Sequence, residues 1–175
     1  MNRATTLRAI ALALSLAIPL AASAEGESAM KLQTALAKLR NPRAVREASF
    51  VMDIPFAEQP IALTPDSLQR IGCRYRTSDP DRVAAVLVRL RDAGIGIPAS
   101  REPRELRQLL RLDFADGTTL AFEFGEVFPA DTALRSSVDG MAVTARKSLQ
   151  TDLFRWAASL PDRVARCEGI LAGYR

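Results

Sequence analysis

The sequence predicts an α+β fold: a largely antiparallel sheet of about five strands, helices packed on one face, and one disulfide. Three observations lead there. Several segments alternate apolar and polar residues with the period of a strand and are joined by short, turn-rich links. Other segments repeat apolar residues at helical spacing, so each offers one stripe to a common core. The only two cysteines, Cys73 and Cys167, each fall on the apolar side of their segment.

Residues 28 to 40 place Leu32, Leu36 and Leu39 on one helical stripe, and Asn41-Pro42 stops that helix. From Glu47 to Ile54 the period changes to two, with Ala48, Phe50, Met52 and Ile54 on one side and Ser49, Val51 and Asp53 on the other. Pro55 and Pro60 bound a loop, after which Thr64-Pro65-Asp66 caps a single helical turn. Ile71, Cys73, Tyr75 and Thr77 then share a strand face, leaving Arg74 and Arg76 on the opposite one. Asp79 caps a helix whose first residue is Pro80; Val83, Val86, Leu87 and Leu90 form its core stripe, and Gly94 ends it.

After a polar connection over 95–105 comes a hairpin whose register follows from its apolar rows. Leu110, Leu112 and Phe114 alternate on one strand, Leu120, Phe122 and Phe124 on the next. A two-residue Asp116-Gly117 loop would set Leu112 opposite Ala121 and throw the two rows onto opposite faces. A three-residue loop of Ala115, Asp116 and Gly117 pairs Leu112 with Leu120 and Leu110 with Phe122, with Gly117 at the left-handed bulge position. The second arrangement is therefore expected. Residues 125–140 show little periodicity and read as a long connection. A short strand with Met141, Val143 and Ala145 inward follows, then a helix from Ser148 with Leu149, Leu153, Trp156 and Leu160 as its stripe. Pro161 ends that helix and opens a last helical segment carrying Val164, Cys167 and Leu171 on one face.

The first 24 residues have the form of a cleavable secretory signal: Arg3 and Arg8, an apolar stretch from Ile10 to Leu20, and the small-x-small site Ala22-Ser23-Ala24. The apolar stretch is short of the ~20 residues a membrane span needs. The expected domain is a single one, residues 25–175, without a stable membrane anchor, and periplasmic or secreted. Removing residues 1–24 takes away two arginines, so 24 basic residues become 22 against 20 acidic, and the charge falls from +4 to +2. Arginine abundance of this kind follows codon usage and gives no reason to expect nucleic acid. In an oxidising compartment the two cysteines are expected to form a disulfide, closing a loop of roughly 95 residues.

The chain has no histidine, which removes the usual general base and the commonest metal ligand. No Ser-His-Asp or Cys-His site is possible, no zinc ligand set is apparent, and no cofactor is expected. Ser28-Ala29-Met30-Lys31 fits the Ser-x-x-Lys pattern of serine acyl enzymes but lacks companion motifs, so a surface helix start is expected there. Asp53, Asp113 and Glu123 lie opposite the apolar rows, and a converging pair of them would suit a carboxylate hydrolase.

The favoured surface is that outward face, where Arg74, Arg76, Arg111 and Arg146 mix with the same carboxylates. Together with Glu126, Phe128, Asp131 and Arg135 of the 125–140 connection, it is expected to contact a protein partner in the cell envelope. Charge also segregates, with five acids and no base over residues 113–131; such an acidic hairpin would suit an inhibitor that plugs a cationic groove. The functional expectation is an exported binding protein without catalytic activity, of inhibitor or immunity type. A structural factor of an envelope assembly is the alternative, and a carboxylate-dependent hydrolase the third. Oligomeric state is not legible in the sequence.

Overall fold

The computed structural model describes residues 18–53, 62–98, 105–163, 167 and 170–174. The chain order is α1 (Ile18–Ala37), β1 (Val45–Met52), α2 (Pro65–Ile71), β2 (Cys73–Thr77), α3 (Pro80–Arg91), β3 (Leu106–Phe114), β4 (Thr119–Gly125), β5 (Leu134–Val138), β6 (Met141–Ala145), α4 (Leu149–Ala158) and β7 (Asp162–Arg163). Six strands and the two-residue β7 form one antiparallel sheet in the order β6-β5-β4-β3-β1-β2-β7. This is the expected α+β fold, with more strands than the sequence suggested and with one short helix, α2, on the face opposite the other helices, where Leu68 is buried against Val51 and Leu109.

The main core lies between one face of the sheet and helices α1, α3 and α4. Phe50, Tyr75, Leu110, Leu112, Phe122 and Phe124 meet Val83, Val86, Leu87, Leu90, Leu153 and Trp156 there, all buried. The stripes that the spacing of 3.6 and 2 predicts are therefore the ones used. Asp79 Oδ1 accepts from the backbone N–H groups of Asp81 and Arg82, capping α3 as expected, and Gly94 takes a positive φ of 63° beyond its end. Trp156 Nε1 donates to the Arg82 carbonyl at 2.8 Å, which satisfies the indole where α4 crosses α3.

Cys73 and Cys167 form a disulfide with a Cα–Cα distance of 5.6 Å. Tyr75 Oη donates to the Cys167 carbonyl at 3.3 Å, so the C-terminal segment is tied to β2 twice. The bond is of the kind that persists where thiols oxidise. Among the described residues, no helix is long and apolar enough to cross a membrane.

The β3–β4 hairpin has the derived register: Leu112 faces Leu120, Leu110 faces Phe122, and the Phe114 N–H donates to Thr118 across a three-residue loop with Gly117 at φ 82°. Four other expectations need correction. Residues 134–138, read as part of an irregular connection, form β5; Asp139 and Gly140, with φ of 48° and 77°, turn it into β6 through a two-residue loop. Asp-Gly is the preferred chemistry for that turn, and it was the signal available.

Ile71 does not share the face of Cys73: it ends α2 and is exposed, because the capped turn continues to seven residues. After Pro161 the chain enters β7 rather than a helix, since Asp162 pairs with Arg76. Finally, α1 begins upstream of residue 28, its backbone running through the Ala22-Ser23-Ala24 site, and tightens into a 3-10 turn at Lys38–Arg40 that buries Leu39. The Arg3, Arg8, Pro55, Pro60 and Val164 features lie outside the described residues, as do Ile54 and residues 10–17 of the apolar stretch.

Candidate functional site

The second sheet face carries the alternate residues of each strand, and among the described residues α2 covers only part of it. Leu68 of α2 is fully buried against Val51, Leu106 and Leu109, with Leu63 and Ala121 beside them. A helix this short needs its ends satisfied. Thr64 Oγ1 accepts from the Ser67 N–H and the Ser67 side chain accepts from the Thr64 N–H, giving a capping box at the start. At the other end Gly72 lets the backbones close up, because a Cβ there would lie 2.6 Å from the Leu68 carbonyl oxygen and 2.8 Å from that of Met52.

Beside α2 the face opens into a groove of about 230 Å³. Strand register sets its floor in three rows. Glu47 of β1 pairs with Asp113 of β3; Ser49 pairs with Arg76 on one side and Arg111 on the other; Val51 pairs with Arg74 and with Leu109. A small serine between two arginines, next to a row of aliphatic residues, makes the depression. Gln69 of α2 completes its rim.

The guanidiniums of Arg111 and Arg74 are held by neighbours on the same face. Arg111 Nε donates to Asp113 Oδ1 at 2.8 Å, and Thr119 Oγ1 donates to the same oxygen at 3.0 Å. Arg74 donates to the Gln69 carbonyl at 3.1 Å. Three arginines and two carboxylates line the groove.

A second ionic cluster occupies the face beside Asp53. Arg107 donates to Asp53 Oδ2 at 2.7 Å, lies 3.0 Å from Glu105, and has Nε 3.7 Å from Glu126, longer than a hydrogen bond. Burial, the largest single influence, works against the Arg107 charge; the hydrogen bond to Asp53 and the fields of Glu105, Asp53 and Glu126 outweigh it, and its pKa is raised. Arg107 went unnoticed in the sequence because a bulge between Leu106 and Gln108 interrupts the alternation that would have placed it.

The expected surface is thus divided. Arg74, Arg76, Arg111 and Asp113 converge on the groove. Glu123, which accepts from Ser137 Oγ at 3.0 Å, and Arg135 lie farther along the same face on β4 and β5. Glu126, Phe128 and Asp131 belong to the turn after β4, where Asp131 accepts from the Phe128 N–H at 2.7 Å and Lys147 donates to the carbonyls of Phe128 and Pro129 at 2.9 Å each. Arg146 leaves the open face, since β6 ends at Ala145 and its guanidinium pairs with Asp152 of α4 at 2.9 Å.

The three carboxylates considered for hydrolysis do not converge. Asp113 faces Thr119 and Glu123 faces Leu109, an offset of four residues along the ladder or about 13 Å, beyond the span of a glycosidase pair. Asp53 is committed to Arg107. Lys31 pairs with Glu27 at 2.5 Å instead of turning to Ser28, leaving the Ser-x-x-Lys match without its contact. Among the described residues, no three His, Cys, Asp or Glu side chains are grouped to hold a metal ion. No family model, curated protein or solved structure matches this chain.

Proposed function

We propose that the chain is an exported, non-catalytic protein-binding module of the periplasm or the outside medium, and that the open sheet face is its contact surface. The observation that carries this is the groove itself: charged and aliphatic side chains share a floor that α2 leaves uncovered. Interfaces combine an apolar patch with oriented polar groups, and arginine is enriched in them.

An inhibitor or immunity-type role is a narrower form of the same proposal. It gains support from Phe128, 56% exposed on a turn pinned by Lys147 and Asp131, which offers a rigid aromatic anchor. The acidic-plug version loses support. All five acids of residues 113–131 are engaged internally, Asp113 with Arg111, Asp116 with Thr118, Glu123 with Ser137, Glu126 with Arg107 and Asp131 with the turn.

The test is steric. Ser49→Trp fills the groove, whereas Val88→Trp adds the same bulk to an exposed site on α3. Affinity purification of the tagged exported chain from its native host should lose one stoichiometric partner with Ser49→Trp and keep it with Val88→Trp, both variants melting like the parent. Retention of every partner by Ser49→Trp contradicts the proposal. Loss of several assembly components together assigns the face to a scaffold instead.

A further inference from the structure

We propose that the segment from Lys38 to Arg46 is a basic ridge that docks the chain reversibly on an anionic lipid bilayer. The proposal goes beyond the protein-binding reading and rests on a different part of the molecule. The segment carries Lys38, Arg40, Arg43 and Arg46 and no acid. It forms two 3-10 turns, Lys38–Arg40 and Pro42–Ala44, that lead into β1. A 3-10 turn repeats every three residues, and burial follows that period. Leu39 and Val45 sink into the main core, while Arg40, Arg43 and Arg46 are exposed at three-residue spacing. The fold therefore decides which side of the segment carries the charge.

Successive arginines are rooted between about 6 Å apart, the rise of one 3-10 turn, and about 10 Å, the extended limit. Those spacings are close to the screening length of about 8 Å at physiological salt, so the three charges repel one another in the free protein. Among the described residues, no side-chain hydrogen bond or ion pair holds any of the three guanidiniums. Acids of the neighbouring elements do not cancel the excess. The ridge packs on α3, which with Asp79 and Asp92 at its ends carries as many bases as acids. Glu47 follows Arg46 on β1, and Asp116, held by Thr118, feels the Lys38 charge. Four bases against these two acids leave this end of the sheet positive by two. Up α1 the first acid is Glu27, which pairs with Lys31.

The arrangement selects a bilayer over other anions. Guanidiniums that recognise a protein carboxylate gain most when neighbours already orient them, as Arg111 and Arg74 are oriented in the groove. Those of the ridge have no such hold, so fixing them against a rigid partner would cost rotamer entropy. Fluid anionic headgroups move to meet them and require no fixed geometry, and clusters of four or more Lys and Arg bind anionic bilayers in this way. Nucleic acid would need an exposed ring on which a base could stack. The ring beneath Lys38 is that of Phe114, which is buried.

The test is sedimentation of the disulfide-bonded chain starting at Glu25, which lacks the apolar leader, with vesicles of phosphatidylcholine alone or mixed with phosphatidylglycerol. The proposal expects binding to the mixed vesicles at low salt, none to the neutral ones, and release in about 1 M salt, where the screening length falls to about 3 Å. Each of Arg40→Gln, Arg43→Gln and Arg46→Gln should weaken partitioning about fivefold, and Arg40→Gln with Arg43→Gln about 25-fold. A control that removes the same charge from exposed sites elsewhere, Arg70→Gln with Arg155→Gln, should change it less than about twofold. All variants should melt like the parent. Equal losses from the two double variants, equal binding to neutral vesicles, or no binding to anionic vesicles at low salt overturns the proposal. Tighter binding to polyglutamate than to the mixed vesicles also overturns it and assigns the ridge to an acidic protein. Ser49→Trp, in the groove, should bind vesicles like the parent, so the ridge and the protein-binding face stand or fall separately.

Discussion

Single residues in this chain test the local geometry most sharply. Gly117 sits at φ 82° in the β3–β4 loop, so Gly117→Val should cost about 1–2 kcal/mol through a forced left-handed backbone. Urea denaturation measures it, and a full-stability variant would contradict the turn. Asp53 is 6% exposed and bonded to Arg107, itself only 18% exposed. Asp53→Ala removes the hydrogen bond to Arg107 but leaves Glu105 beside the guanidinium, and should cost about 2 kcal/mol, whereas Glu126→Ala, at the exposed side of the same cluster, should cost less than about 1 kcal/mol. Asp116 behaves differently. The Thr118 hydroxyl and then the Thr118 N–H donate to its carboxylate and hold its pKa below the usual value. Its contribution to stability is therefore complete above the unfolded pKa near about 4 and is lost as pH falls through the lower folded value. A ¹³C titration of the Asp116 carboxyl group should give a midpoint below that of Asp in a peptide, and an unshifted midpoint would contradict the bonded loop.

At the scale of elements, α2 decides whether the groove exists, because it seats Leu68 on Val51 and Leu109 and receives Arg74 at the Gln69 carbonyl. Thr64→Ala removes half of its capping box and should lower stability by about 1 kcal/mol, with the loss in hydrogen-exchange protection concentrated in residues 65–71. Uniform loss across the sheet would mean that α2 is not a separate unit. Legibility in the sequence also divides by element. The helical stripes of α3 and α4 and the hairpin register were readable because burial on one face imposes a strict period. β5 was not, because Ser136 and Ser137 occupy buried positions that would ordinarily be apolar, so alternation vanishes. Only the Asp139-Gly140 turn marked it. The groove was half legible: strand parity put Arg74, Arg76, Arg111 and Asp113 on one face, but Glu47 and Gln69 required knowing which strands adjoin and where α2 lies.

Among the described residues, the molecule is a sheet with a main core on one face, α2 over part of the other, and a crosslink from β2 to the C-terminal segment. The described core contacts of α1 come from Leu32, Ala35 and Leu36, with Leu39 of the following 3-10 turn beside them, all downstream of the expected cut after Ala24. A chain beginning at Glu25 should therefore keep the full core and unfold in one cooperative step. Reduction should destabilise it by up to about 4.6 kcal/mol on chain-entropy grounds, and denaturation with and without reductant checks both statements. The central claim is that the uncovered face meets a partner. Its most direct measurement places a photo-activated crosslinking residue at Ser49 in the groove and, separately, at Val88 on the far side of α3, in the chain exported by its own host. The account predicts one dominant adduct from Ser49 and none of that mass from Val88. Equal adducts from both positions, or none from Ser49 while Val88 yields one, would contradict it.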